Sequence, residues 1–215
     1  MSAGGLDQRE IVLDALRQVA KLCAVAAITA PKSGGQLFIK GGGPFIETVI
    51  VDDKPTLKRL ADWIRARGER HRAPIWFRDA DTAEKLDVVL FIGLSGWYPP
   101  QYDCGACGFA TCAEFLQARP AHRPPASEDW EFAGPVCQLR AVDLGIAVGS
   151  AAKIASMNNV DARCQTRISA AACHLGVIKA DLAVALSMSA THKNIFFDKK
   201  MPEVSFPAAS QPKTA

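Results

Sequence analysis

Cys104, Cys107 and Cys112 lie in one stretch, Asp103-Cys104-Gly105-Ala106-Cys107-Gly108-Phe109-Ala110-Thr111-Cys112, a C-x2-C-x4-C pattern. Three thiols this close need a shared task, and holding an iron–sulfur cluster is the task that fits the spacing. A tight loop delivers three sulfurs only if the backbone turns sharply between them. Gly105 and Gly108 allow such turns, positive φ included, and let backbone N–H groups approach the sulfurs. A fourth sulfur is offered by Cys137, in Gly134-Pro135-Val136-Cys137. Cys137 is expected at the start of a helix, where free N–H groups and the dipole favour a thiolate. Pro135 just before it stiffens the approach.

The same four ligands suit a structural zinc site. Zinc sites usually pair two separated C-x2-C units, whereas this chain has one such unit, one close extra cysteine and one distant one. The spacing favours a 4Fe–4S cluster and leaves 2Fe–2S, zinc and a thiol redox pair open. Cys164 is the reserve for the fourth ligand. Cys23, Cys164 and Cys173 otherwise read as core packing.

Composition bounds the rest. The chain has 215 residues, 49% hydrophobic and 22% charged, with a formal net charge of +3. That balance suits one globular domain, and so mild a charge, without a Lys/Arg block, gives no ground for nucleic-acid binding. No apolar run is long enough to span a membrane, and no secretory leader is evident, so the expected location is the cytoplasm. There, seven cysteines point to metal ligands rather than to a disulfide framework.

The expected fold class is α+β, a mixed sheet flanked by helices, with the cysteine loop carried on it. Apolar residues recur at helical spacing from Leu6 to Ile28 and again from Cys137 to Met157. Ile46 to Val51 reads as a strand, and Asp52 or Asp53 caps a following helix with Gly68 just past its end. Pro74 to Phe77 suggests a short strand and Asp81 to Leu86 a helical turn. Asp87 to Gly93, DVVLFIG, is the clearest strand and belongs at the sheet centre. Arg119 to Asp129 reads as a Pro-rich surface excursion. Asp161 is expected to cap a helix ending at Gly176, before a late strand over Ala183 to Leu186. One domain is expected over residues 1–200, with its cysteine loop at 101–137, and a disordered tail over 201–215.

Other candidate sites are weaker. Gly41-Gly42-Gly43 lacks a phosphate-loop pattern and reads as a plain loop. Lys193, in Ser189-Ala190-Thr191-His192-Lys193-Asn194, is a candidate anion contact, as is Lys32 after the first helix. In each case a turn that satisfies its own backbone groups is the simpler reading. Gly145 and Gly149, in the small-residue helix after Cys137, suit close packing against another helix or a flat ligand.

The combination of Ala30-Pro31-Lys32, Phe77-Arg78-Asp79-Ala80, Asp103 to Glu114, Gly134-Pro135-Val136-Cys137, Asp143 to Ser150 and Ser187 to Asp198 resembles the DUF2148 family of ferredoxin-domain proteins. The resemblance covers most of the chain and implies an iron–sulfur domain on Cys104, Cys107, Cys112 and Cys137. It implies no particular reaction. At the level of architecture the chain also resembles the flavin-binding nitroreductase fold. That likeness implies a homodimer and makes FMN a candidate cofactor, with Lys32, Gly145, Gly149 and Lys193 as candidate contacts. The expected function is electron transfer to or from a redox partner not named by the sequence. A structural zinc or cluster site in an interaction module, and an FMN-dependent oxidoreductase with an accessory cluster, are the alternatives.

Overall fold

The computed structural model describes residues 7–33, 45–96, 98–119 and 130–197. The excursion at 120–129, the glycines at 41–43 and the tail at 201–215 lie outside the described residues.

The chain opens with α1 (Gln8–Thr29), started by a capping box between Asp7 and Glu10. β1 (Ile46–Val51) follows as expected, and α2 (Lys54–His71) is capped by Asp53 with a proline in its first turn. Gly68 lies inside α2 rather than past its end. A Cβ there would sit 2.8 Å from the Trp76 Cβ, so the glycine serves the close crossing of α2 and the next helix.

That helix, α3 (Pro74–Lys85), replaces the short strand and helical turn expected over this stretch. Proline is tolerated at a helix start, and Trp76, Ala80 and Ala83 bury one helical face. β2 (Val88–Leu94) is buried along its whole length. The cysteine loop leads into the short α4 (Cys112–Ala118), and α5 (Gln138–Met157) follows. Asp161 opens a strand, β3 (Asp161–Gln165), not a helix; α6 (Thr166–His174) begins only after it, and β4 (Leu182–Ser189) completes the fold. The reason is pairing: Asp161 to Gln165 align along Ser189 to Ala185 of β4.

The fold is α+β, with sheet order β1-β2-β4-β3. Its described pairings are all antiparallel, where a mixed sheet was expected. The helices between β2 and β4 do not act as parallel crossovers.

Strand alternation sets two cores. Val88, Leu90, Ile92 and Leu94 of β2 face α1 and α5, together with Leu186 and Met188 of β4. Val89 and Phe91 face the α2, α3 and α6 side, with Ala183 and Ala185. Gly93 is required where β2 meets the turn before β4, because a Cβ there would fall 2.5 Å from the Ala180 Cβ.

Candidate metal centre

The cysteine loop hangs from the end of β2 and packs on the α1–α5 side of the sheet. Phe115 of α4 is fully buried in that core, with Phe109 edge-on against it at 5.6 Å. Gly105 and Gly108 both have positive φ, and the Gly108 amide donates to the Gly105 carbonyl at 2.9 Å, closing a turn centred on Ala106 and Cys107. Asp103 also has positive φ, and its carboxylate accepts from the Cys112 amide. Thr111 caps α4 by accepting from the Glu114 amide at 3.1 Å. Glu114 returns the favour to the Ala110 amide at 3.2 Å. The loop is thereby folded back so that its first and third cysteines are tied through Asp103.

Cys137 arrives from the other side, after a cis Gly134-Pro135 bond, as the N-cap of α5. It is buried, whereas Cys104 is exposed and Cys107 and Cys112 are half-buried. All four cysteines line one pocket, with Pro99, Pro100 and Tyr102 on its rim. Burial pushes the Cys137 thiol up. The backbone amides of Arg140 and Leu139 oppose the rise, the nearby Cys107 adds to it, and the Arg140 guanidinium opposes it.

The donor set fits a thiolate-bound cluster. All four sulfurs are free thiols, they come from two separate parts of the chain, and they line one pocket. Among the described residues, no group of three or more His, Cys, Asp or Glu converges tightly enough to hold a single metal ion. A cluster makes a different demand, because each of its thiolates binds its own iron.

The other three cysteines lie elsewhere, and core packing, expected of all three, fails for Cys164. Cys164 is exposed on β3 and Cys173 is half-buried on α6, where burial pushes its thiol up to about 12. Cys23 is buried on α1, and burial pushes it up to about 11. None of the three lines the cysteine pocket.

Nor do the candidate anion and flavin contacts. Lys32 Nζ donates to the Ile28 and Ala30 carbonyls at 2.9 and 2.7 Å, capping the end of α1. Gly145 and Gly149 lie on the outer face of α5, with open space where a Cβ would stand. Lys193 belongs to a turn in which Ser189 and Thr191 pair their hydroxyls and Thr191 bonds the Lys193 carbonyl. Lys32 thus follows α1, Gly145 and Gly149 stand on α5, and Lys193 follows β4.

Sequence reasoning missed a buried polar knot behind Cys137. Arg140 and Asp143 are both fully buried and paired at 2.9 Å. Arg140 Nε donates to the Tyr98 carbonyl at 2.7 Å and Nη1 to the Ser33 carbonyl at 3.0 Å. Asp143 accepts from the Ser33 amide at 2.7 Å and from its hydroxyl. The sequence offers only an Arg and an Asp three apart in a helix whose other charged residue is Lys153.

Two family models match the chain. One, described as "Putative Fe-S cluster", covers residues 100–119. The other, described as "Uncharacterized protein containing a ferredoxin domain (DUF2148)", covers residues 133–199. An "Uncharacterized protein" of Archaeoglobus fulgidus is 34% identical over 194 residues, spanning 90% of this chain and 97% of that protein. Among solved structures, that of B. megaterium NfrA1 aligns with a TM-score of 0.46 at 12% identity, over 92% of this chain and 66% of that one.

Proposed function

Because this chain belongs to the DUF2148 family of ferredoxin-domain proteins, we propose that it transfers single electrons through a 4Fe–4S cluster held by Cys104, Cys107, Cys112 and Cys137. The observation that carries this reading is the convergence of those four cysteines on one pocket from two distant stretches of chain. Such a cluster, when bound, supplies the one-electron chemistry.

The chain's own residues supply its setting. Gly105 and Gly108 turn the loop, Asp103 ties its ends, and the start of α5 directs amides toward the Cys137 sulfur. Cys104 is the exposed member of the set, and exposed Tyr102 lines the same pocket. That side is where a redox partner approaches. The buried side, around Cys137, excludes water.

A second copy of the chain is proposed as a partner on the outward surface of the α1–α5 layer. The outer faces of α1 and α5 expose Leu22, Val25, Val142 and Ile146. Gly145 and Gly149 on the same side allow a helix to approach closely.

Anaerobic purification followed by iron, sulfide and flavin analysis tests the reading. The expected sample is brown, with about four irons and matching acid-labile sulfide per chain. Stoichiometric zinc in a colourless sample would sink it and favour the structural alternative. Flavin released on denaturation would add FMN to the cofactors and make the protein an oxidoreductase.

A further inference from the structure

A fully buried guanidinium with an unused donor is costly and calls for an explanation. Arg140 is 0% exposed, its guanidinium carbon lies 4.4 Å from the centre of the Phe45 ring, and its Nη2 has no hydrogen-bond partner among the described residues.

Its position supplies the reason. Arg140 stands three residues after Cys137, about 4.5 Å along the α5 axis, whereas Asp143 stands about 9 Å along it. The ion pair is therefore ordered along the helix with its cation on the cysteine side. Its Nε also fastens the Tyr98 carbonyl, next to the two prolines that wall the pocket. Arg140 thus holds both the backbone on one side of the pocket and a fixed positive charge behind it.

We propose that Arg140 is a positioning and tuning residue for the redox centre. Its buried charge favours the reduced form, and Asp143 limits that effect while keeping the guanidinium in place. This rests on the cluster reading above. Reduction adds one electron, supplied in the test by dithionite, and makes or breaks no bond in the chain. Added negative charge is stabilised by a nearby buried cation and destabilised by a buried anion.

The test is a spectroscopically followed dithionite titration of the anaerobically purified full chain, with iron and sulfide measured on each sample. Arg140→Lys keeps the charge and is expected to keep the midpoint. Arg140→Met combined with Asp143→Leu removes both charges from a site that stays packed. It is expected to make reduction about tenfold less favourable, a negative shift of about 59 mV for one electron. Asp143→Asn leaves the cation unopposed and is expected to shift the midpoint the other way.

A loaded double variant with an unmoved midpoint overturns the inference. If the double variant does not load, Asp143→Asn decides, and an unmoved midpoint there also overturns it. Failure of both to load makes the pair a folding element and overturns the tuning role. A wild-type sample without iron and sulfide instead defeats the cluster reading itself.

Discussion

The backbone amide of Cys112 donates to the carboxylate of Asp103 at 2.6 Å, across nine residues of chain. This one bond closes the cysteine loop before any metal is considered, because it fixes the spacing between the residue beside Cys104 and the third cysteine. Asp103→Ala is expected to cost about 1 kcal/mol of stability and to lower metal retention. Asp103→Asn, whose side-chain carbonyl still accepts, should lose less. Urea unfolding midpoints and metal content of the three proteins check this.

Metal and fold are expected to be coupled at the loop. Cys104→Ser, Cys107→Ser and Cys137→Ser should each lose bound metal and lower Tm, and a chelator should do the same to the wild type. Cys23→Ser should leave metal content unchanged, since Cys23 is buried on α1 away from the pocket. Equal metal loss in Cys23→Ser and Cys104→Ser would show the ligand assignment to be wrong.

Glycines divide by what surrounds them. Gly93→Ala and Gly68→Ala place a methyl 2.5 and 2.8 Å from neighbouring Cβ atoms and are expected to cost about 1–3 kcal/mol each. Gly149→Ala meets open space on a helix and in a monomer should stabilise by about 1 kcal/mol. If α5 joins a second copy of the chain, the same change should instead weaken that association. Light scattering of wild type and Gly149→Ala, beside their melting curves, separates the two outcomes.

Asp87 predicts an acid-side loss of stability. Burial alone would raise its carboxyl, but hydrogen bonds from Arg9 and Lys54 outweigh burial and hold it below the usual range. Its folded-state pKa is thus depressed. Its contribution is present above the ordinary carboxylate range, about pH 4, and is lost as pH falls through the lowered folded value. Asp87→Asn should show a flatter fall in urea midpoint across that window than wild type, at a lower starting stability.

The strands and long helices were legible because their signals are local. The apolar run of DVVLFIG marked β2, and small-residue helical spacing marked α5. Asp161 and Pro74 misled because each starts more than one kind of element. Asp161 fits a helix cap as readily as a strand start, and only pairing with β4 decides between them. Pro74 is tolerated at either kind of start, and the burial of Trp76 and Ala80 under α2 is not written next to it.

At the site, the four cysteines announce themselves by chemistry and spacing. The Arg140–Asp143 knot does not, because its partners Ser33 and Tyr98 lie 107 and 42 residues from Arg140 in sequence. Lys32, a candidate anion contact, donates from Nζ to the two carbonyls that end α1, a local role that its sequence position after the helix already suggested.

Asp181 receives the chain on both sides of the excursion between the third and fourth cysteines. Its carboxylate pairs with Arg119 at 2.8 Å, its carbonyl accepts from the Ala133 amide at 3.0 Å, and its own amide donates to Leu94 at 2.9 Å. The two ends of that segment are thus moored at one post on the sheet. Lengthening a connection whose ends are already fixed adds only about 0.6 kcal/mol per doubling. A reporter module inserted between Arg119 and Ala133 is therefore expected to leave the four-cysteine pocket in place.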